Sequence, residues 1–244
     1  MVNAPKEING SKSIAYDKKF SLMLGLMIAY NSYCINYYTL KPELFYTSDI
    51  KDGNLDKTVP TMMELEISRR FPFHTKTANF LNSAFIIIES TRTILREMNC
   101  DAITKVKDYK IKNMDISLSL VKELRNAYVH GKLLPLHVNY TTTYGKYSID
   151  TVFNVVINKE HLLSLQNIKG ALKQYLTESR EHNIKLHDLF KRHFEFTVDL
   201  YSSIRDEFLK NYVICETTRF SHQQRCLYNG IGQKFDLIAK VDYS

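Results

Sequence analysis

The sequence lacks the residue patterns that mark several common catalytic sites. Its 244 residues include four cysteines, and no two of them are spaced as C-x-x-C. It has no glycine-rich loop to hold a phosphate, no nucleophile elbow and no paired-carboxylate motif. These absences argue against zinc or dithiol chemistry, kinases, P-loop enzymes and hydrolases with a nucleophile elbow. We expect the cysteines to be reduced thiols of a cytoplasmic protein; they are Cys34, Cys100, Cys215 and Cys226.

The charge is positive, but it is not concentrated in a tail. The formal net charge is +7 and the sequence pI is about 9.0. The basic residues are scattered, and no internal repeat is visible. The balance favours anionic partners, with nucleic acid first and acidic membrane surfaces second.

The longest uncharged run covers residues 20–40, so a membrane span has to be considered. Four polar residues interrupt the run: Ser21, Asn31, Ser32 and Asn36. Residues at helical spacing predict a core-facing helix in place of a span; they are Phe20, Leu24, Met27, Ile28, Asn31, Ile35 and Tyr38. We therefore expect no membrane association.

Hydrophobic periodicity predicts a mainly α-helical chain. The predicted helices cover residues 15–40, 62–70, 75–99, 115–131, 160–179 and 184–212, with a break at Pro72 and an N-cap at Asp115. On the helix over 75–99, the expected core residues are Leu81, Ala84, Phe85, Ile88, Leu95 and Met98.

A second pattern follows the helix that ends near Gly131. Residues 135–157 are rich in Val, Thr, Tyr and Ile around a Tyr-Gly-Lys turn, which predicts a β-hairpin. We expect one domain over residues 1–244, with helices over 15–132, the hairpin within 133–158, further helices over 159–212 and a tail over 213–244. A short strand at 235–241 is a further prediction.

Three arginine–histidine pairs have four to six intervening residues, where about one is expected by chance. They are Arg69 with His74, Arg125 with His130, and Arg180 with His187. The first straddles Pro72, which argues against a regular helix, and the third spans a predicted break at Asn183. Only Arg125 and His130 are expected to share one well-patterned helix, and only there does an asparagine, Asn126, follow the arginine.

On an ideal helix, Arg125 and His130 lie about 140° apart. They can meet on one phosphate only if the helix ends there or a second subunit contributes, and a two-fold dimer would supply the second route. Asn126 and His130 lie one turn apart, so the amide could orient the imidazole. Histidine transfers protons near neutral pH, and arginine offers a planar fork for two phosphate oxygens. These groups suit RNA cleavage with the ribose 2′-OH as internal nucleophile, which requires no metal or cofactor.

The stretch Arg125-Asn126-Ala127-Tyr128-Val129-His130, preceded by Glu123 and Leu124, resembles the R-polar-x4–6-H signature of the HEPN superfamily. The resemblance is sharp over about ten residues. It implies a helical bundle, a homodimer that joins both motifs in one cleft, and metal-independent RNA cleavage leaving a 2′,3′-cyclic phosphate. Arg125 and His130 would be catalytic and Asn126 their organiser.

The family resemblance also implies a role as a toxin of a toxin–antitoxin pair or in antiphage abortive infection, with an antitoxin protein as a partner. Lys132 and Lys122 would bind RNA phosphates. The best-known toxin subgroup has tyrosine two places after the histidine, where this chain has Lys132. The β-hairpin is an addition to a plain HEPN bundle.

Two other interpretations of the motif helix remain open. A HEPN-like module could bind RNA, a nucleotide or a protein without cleaving it, or the motif face could be only an oligomer contact. A metal site at His182, His187 and His193 is disfavoured because their spacing does not align ligands on one helical face. Most tyrosines have core spacing, and Tyr140, Tyr144 and Tyr147 are the candidates for base stacking.

Overall fold

The computed structural model describes residues 10–51, 62–98, 116–130, 134, 136–144, 148–165 and 168–212, and over these residues the chain is mainly helical. The six helices of this part are α1 (Gly10–Leu44), α2 (Met62–Met98), α3 (Ile116–Val129), α4 (Lys159–Ser164), α5 (Gly170–Glu178) and α6 (Leu186–Tyr212). Its strands are β1 (Phe45–Lys51), β2 (Leu136–Tyr144), β3 (Ser148–Asn158) and β4 (Asn183–Lys185). The chain divides into two compact units, residues 1–201 and 202–244, and of the second only the end of α6 is described.

Helices α1 and α2 pack against each other in opposite directions. Lys18 Nζ lies 2.8 Å from Glu97 Oε2, which joins the first part of α1 to the end of α2. Lys76 Nζ lies 2.6 Å from Glu43 Oε1, which joins the end of α1 to the middle of α2. Buried aromatic rings fill the space between α1, α2 and α6. Tyr37 stacks on Phe194 with ring centroids 4.0 Å apart. This packing places α2 where its other side can receive α3.

The face of α1 that points into the core differs from the predicted face. The large buried residues at the centre of this face include Met23, Leu26, Tyr30, Tyr33, Tyr37 and Leu40. Ile28 and Ile35, expected in the core, are 60% and 64% exposed. The prediction was wrong because this stretch is uncharged around its whole circumference, which leaves the helical period without a unique core side.

Helix α2 is continuous through Pro72, so the predicted break was wrong. Proline removes one backbone hydrogen bond and crowds the carbonyl four residues earlier. Pro72 is exposed, and water can bond a carbonyl left unpaired on that face, whereas Phe73 and Thr77 after it are buried. The core side also differs in part, because Phe80, Ile87 and Ile94 are fully buried whereas Phe85 is 37% exposed.

The predicted hairpin is confirmed as β2 and β3, which pair antiparallel from Leu136 opposite Ile157 to Tyr144 opposite Ile149. The sheet is larger than predicted, because β1 and β4 also pair with β3. Residues 45–51 lie outside the predicted helices, and residues 184–185 were expected in a helix. Pairing with β3 supplies the backbone bonds that make them strands.

The helix predicted over 160–179 is two helices, α4 and α5, separated by residues 165–169. The Asn158 side chain caps α4 by accepting hydrogen bonds from the Glu160 and His161 amides. The predicted cap at Asp115, the end at Gly131, the Tyr-Gly-Lys turn and the strand at 235–241 involve residues outside those described. None of the described helices has the length and apolarity needed to cross a bilayer.

Candidate functional site on helix α3

Helix α3 has one apolar side and one polar side. Its apolar side is buried and packs against α2. Leu120, Val121 and Leu124 are buried, and Ala127 extends their stripe. Lys122 is exposed. Apolar residues at helical spacing therefore fix the rotation of α3 and decide where the polar residues of the motif point.

The Arg125 side chain turns towards α2. Its guanidinium carbon lies 4.2 Å from the centre of the Phe85 ring, a cation–π contact. Arg125 Nη1 donates a hydrogen bond of 3.5 Å to Asn126 Oδ1. Arg125 Nε is buried and has no hydrogen-bond partner within the described part of the chain. The arginine is thus held at two points and retains an N–H group without an acceptor.

The Asn126 amide joins Arg125 to Glu123. Asn126 Nδ2 donates to Glu123 Oε2 at 3.3 Å, so Glu123, Asn126 and Arg125 form a chain of hydrogen bonds along one side of the helix. We expected the amide to orient the His130 imidazole. In the single chain, the contact with His130 is through the backbone, where the His130 amide donates to the Asn126 carbonyl at 3.1 Å.

His130 lies one residue beyond the end of α3, and its side chain is exposed. Among the described residues, the imidazole has no hydrogen-bond partner, and Arg125 is therefore not one. Lys132 lies outside the described residues, whereas Lys122 is exposed one turn before Asn126. The structure thus brings Arg125 and Asn126 together and leaves His130 open to solvent at the same end of the helix.

A second contact between α2 and α3 was not predicted from the sequence. His74 Nδ1 lies 2.9 Å from the Tyr128 hydroxyl. Burial raises the pKa of Tyr128 to about 12, so its hydroxyl keeps its proton and can donate to His74 at neutral pH. His74 belongs to the first arginine–histidine pair, but no spacing rule in the sequence relates it to Tyr128. The contact fixes the last turn of α3 next to the motif.

The other two arginine–histidine pairs have different surroundings. Arg69 and His74 lie in one continuous helix, so the argument that Pro72 separates them was wrong. Arg180 and His187 are separated by β4, as the predicted break implies. His130 lies one residue beyond α3, so the expectation that only the Arg125 pair shares a helix was wrong, and helical context does not single this pair out. The asparagine after the arginine and the helix end at the histidine distinguish it from both.

The three histidines considered as metal ligands have unlike surroundings. His182 is exposed, His187 Nδ1 lies 3.3 Å from Asp188 Oδ1, and His193 is buried beside Tyr33. Among the residues that the structure describes, no group of His, Cys, Asp or Glu is placed to hold a metal ion. Tyr144, one of the candidates for base stacking, is 77% exposed on the edge strand β2.

Comparisons of the chain with protein-family models, with curated proteins and with solved structures find no match. The functional argument therefore depends on the residues of α3 and their contacts. The feature to explain is a fixed arginine and an open histidine on one short helix.

Proposed function

We propose that this chain is a HEPN-like endoribonuclease that cleaves RNA without a metal or cofactor at a site shared by two copies. One observation carries the proposal: Phe85 and Asn126 hold the Arg125 guanidinium, while His130 is exposed at the end of the same helix. Cleavage of a phosphodiester needs a fixed cation and a group that transfers protons, and this helix offers one of each.

Arg125 would stabilise the negative charge that builds up on the phosphate oxygens. A guanidinium that is already oriented loses little conformational entropy when it binds a phosphate. The buried Nε–H has no acceptor among the described residues, so the guanidinium keeps one donor that these residues do not satisfy. Asn126 would set the position of Arg125 and would itself be set by Glu123.

The second copy supplies what one chain lacks. Within the chain, Arg125 packs towards α2 and has no hydrogen bond with His130, so a second motif lying opposite would bring both kinds of group to one phosphate. The 2′-oxygen would attack phosphorus while one His130 accepts its proton. The bond from phosphorus to the 5′-oxygen would break as protonated His130 of the partner subunit donates a proton to that oxygen. The products are a 2′,3′-cyclic phosphate and a 5′-hydroxyl.

Lys122, which is exposed, and Lys132 would bind neighbouring phosphates, in keeping with the net charge of +7. The β2–β3 hairpin would be an insertion after the motif helix of the HEPN-like bundle. A HEPN-like ribonuclease of this kind would act in the cytoplasm, in a toxin–antitoxin pair or in antiphage defence, and a cognate antitoxin protein would be a further partner.

The test is RNA cleavage in the presence of a chelator. We expect Arg125→Ala and His130→Ala each to lower the rate at least about a hundredfold, the scale typical of a lost acid–base group or charge-stabilising donor. The matched control is the pair Arg180→Ala and His187→Ala, which has similar spacing but lies across β4, and it should cleave like the parent. Equal activity in all four variants would exclude the proposed site.

A second candidate function is a scaffold in which α3 makes a structural contact only. It is favoured by the position of Arg125, which is partly buried and already has Phe85 and Asn126 as neighbours. In that case the parent cleaves no RNA, and Arg125→Ala weakens folding or assembly. Unfolding curves measured beside the cleavage assay separate the two functions.

A further inference from the structure

The outer face of α1 has the composition of a contact surface. Its exposed positions are Ser21, Gly25, Ile28, Ser32, Ile35 and Thr39. We call these six residues the outer stripe. None is charged, although 24% of the chain is Asp, Glu, Lys or Arg. The two isoleucines are among the most exposed large apolar side chains of the described residues.

The outer stripe has the spacing of a helix-pairing seam. Its intervals are four, three, four, three and four residues, the alternation that keeps one line of side chains facing a second helix. The stripe is about 27 Å long at 1.5 Å per residue. Thr39 Oγ1 donates 2.7 Å back to the Ile35 carbonyl, so this hydroxyl is satisfied within the helix.

Reversing the stripe brings large residues opposite small ones. In an antiparallel pair of α1 helices centred between Ile28 and Ser32, Ile28 lies opposite Ser32 of the second copy, and Ile35 lies opposite Gly25. Ser21 lies opposite Thr39. A Cβ built on Gly25 meets no heavy atom within 4 Å, so the space that Ile35 of a second copy would enter is open. In a parallel pair each isoleucine would meet itself and each small residue would meet a small one, which packs less well.

The lack of charge on the outer stripe argues against an anionic occupant. Two copies that each carry +7 repel one another, so contact between them needs an uncharged surface. Nucleic acid and an anionic membrane surface would be bound by lysine and arginine, and the outer stripe has neither. Lys18 and Lys41 lie just beyond its two ends, and Lys18 is paired with Glu97.

We propose that the outer stripe of α1 is a self-association surface on which a second copy of the chain packs its own α1 antiparallel about a two-fold axis. The surface lies on a different helix from the Arg125 motif, and the inference does not depend on the proposed ribonuclease function. Ile35 of each copy fills the space beside Gly25 of the other.

Gly25→Leu tests the surface without disturbing the single chain. The new side chain has open space around it, and leucine favours a helix over glycine. We expect the variant to lose the α1 contact between copies. In analytical ultracentrifugation its mass should be half that of the parent at every concentration where the parent is associated. Its helix content should be unchanged. Ala171→Leu on the exposed side of α5 is the matched control and should keep the parent's mass.

A disulfide test identifies the antiparallel arrangement. In the proposed pair, two Gly25→Cys copies lie ten residues apart along the axis, about 15 Å, beyond the roughly 7 Å that a disulfide tolerates between Cα atoms. Mixing Gly25→Cys chains with Ile35→Cys chains should therefore give a covalent dimer under oxidation. Either variant alone, and the parent, should not form it. The proposal would be overturned if Gly25→Leu kept the parent's mass and the mixture of the two cysteine variants formed no covalent dimer.

Discussion

At the scale of single residues, the candidate site depends on how Arg125 is held. The Phe85 ring lies beneath its guanidinium at 4.2 Å, Asn126 accepts a hydrogen bond from it, and Glu123 accepts one from Asn126. The contact with Phe85 joins α3 to α2, and the contacts with Asn126 and Glu123 lie within α3. They would keep the guanidinium in one orientation before any phosphate arrives, so Phe85 is a positioning residue in the proposed reaction.

Phe85→Leu should therefore slow RNA cleavage without unfolding the protein. A cation–π contact at a partly exposed site contributes about 1 kcal/mol, which corresponds to roughly a fivefold fall in rate. The loss should appear mainly in kcat, because the ring orients the arginine and does not itself bind RNA.

Ile86→Leu is the matched control, since Ile86 is the next residue and is 53% exposed. It should keep the parent's kcat and KM. A Phe85→Leu variant with the parent's kcat would show that Arg125 needs no support from α2.

The motif residues could be predicted from the sequence, but their contacts could not. Arg125, Asn126 and His130 are visible as residue types at a given spacing at a helix end. Phe85 lies forty residues earlier, and its place beneath the guanidinium depends on how α2 and α3 pack. The hydrogen bond from Asn126 to Glu123 is a choice between two partners one turn away in opposite directions, and spacing does not decide it.

At the scale of elements, a buried polar contact links α1 to α6. The Tyr33 hydroxyl lies 2.7 Å from His193 Nδ1, and Thr197 Oγ1 donates to the His193 carbonyl at 2.8 Å. Burial lowers the pKa of His193 from 6.5 to about 3 and raises that of Tyr33. At neutral pH, the contact is therefore a hydrogen bond between a neutral tyrosine hydroxyl and an uncharged imidazole.

This contact predicts that stability falls in acid. The unfolded chain binds a proton at His193 below about pH 6.5, whereas the folded chain does not bind it until about pH 3. Between these limits, this group lowers the free energy of unfolding by about 1.4 kcal/mol per pH unit, and above pH 6.5 it contributes no pH dependence. Urea unfolding across this pH range measures the slope.

His193→Gln removes the titrating group and keeps an acceptor for Tyr33, so its slope should be shallower than the parent's by about that amount. His182→Gln, at an exposed position, is the control and should keep the parent's slope. Identical slopes in all three proteins would mean that His193 is protonated in the folded chain.

The elements themselves were predictable where one local pattern was strong. The buried side of α3 and the β2–β3 hairpin follow from spacing and residue type. The core side of α1 does not, because Leu24, Met27, Ile28 and Ile35 are as apolar as the residues that are buried. Strands β1 and β4 also escaped prediction, since their pairing with β3 joins segments distant in sequence.

At the scale of the whole molecule, the two proposed surfaces on one chain would determine the assembly. The motif face of α3 and the outer stripe of α1 would each pair with its own copy, and two separate self-pairing surfaces give assemblies larger than a dimer. With both surfaces in use, Gly25→Leu should reduce the assembly to a dimer that still cleaves RNA. If only the α1 surface is used, the parent is a dimer and the variant a monomer. The masses of the parent and of Gly25→Leu therefore show which of the two proposals, the α3 dimer or the α1 contact, is wrong.

The central claim is that this chain cuts RNA by attack of the 2′-OH, and the ends of the fragments test it most directly. Mass spectrometry of RNA incubated with the parent and a chelator should show 2′,3′-cyclic phosphate and 5′-hydroxyl ends, and these should be missing when His130→Ala, purified in the same way, replaces the parent. Fragments with 5′-phosphate ends, or intact RNA of every class supplied, would contradict the account.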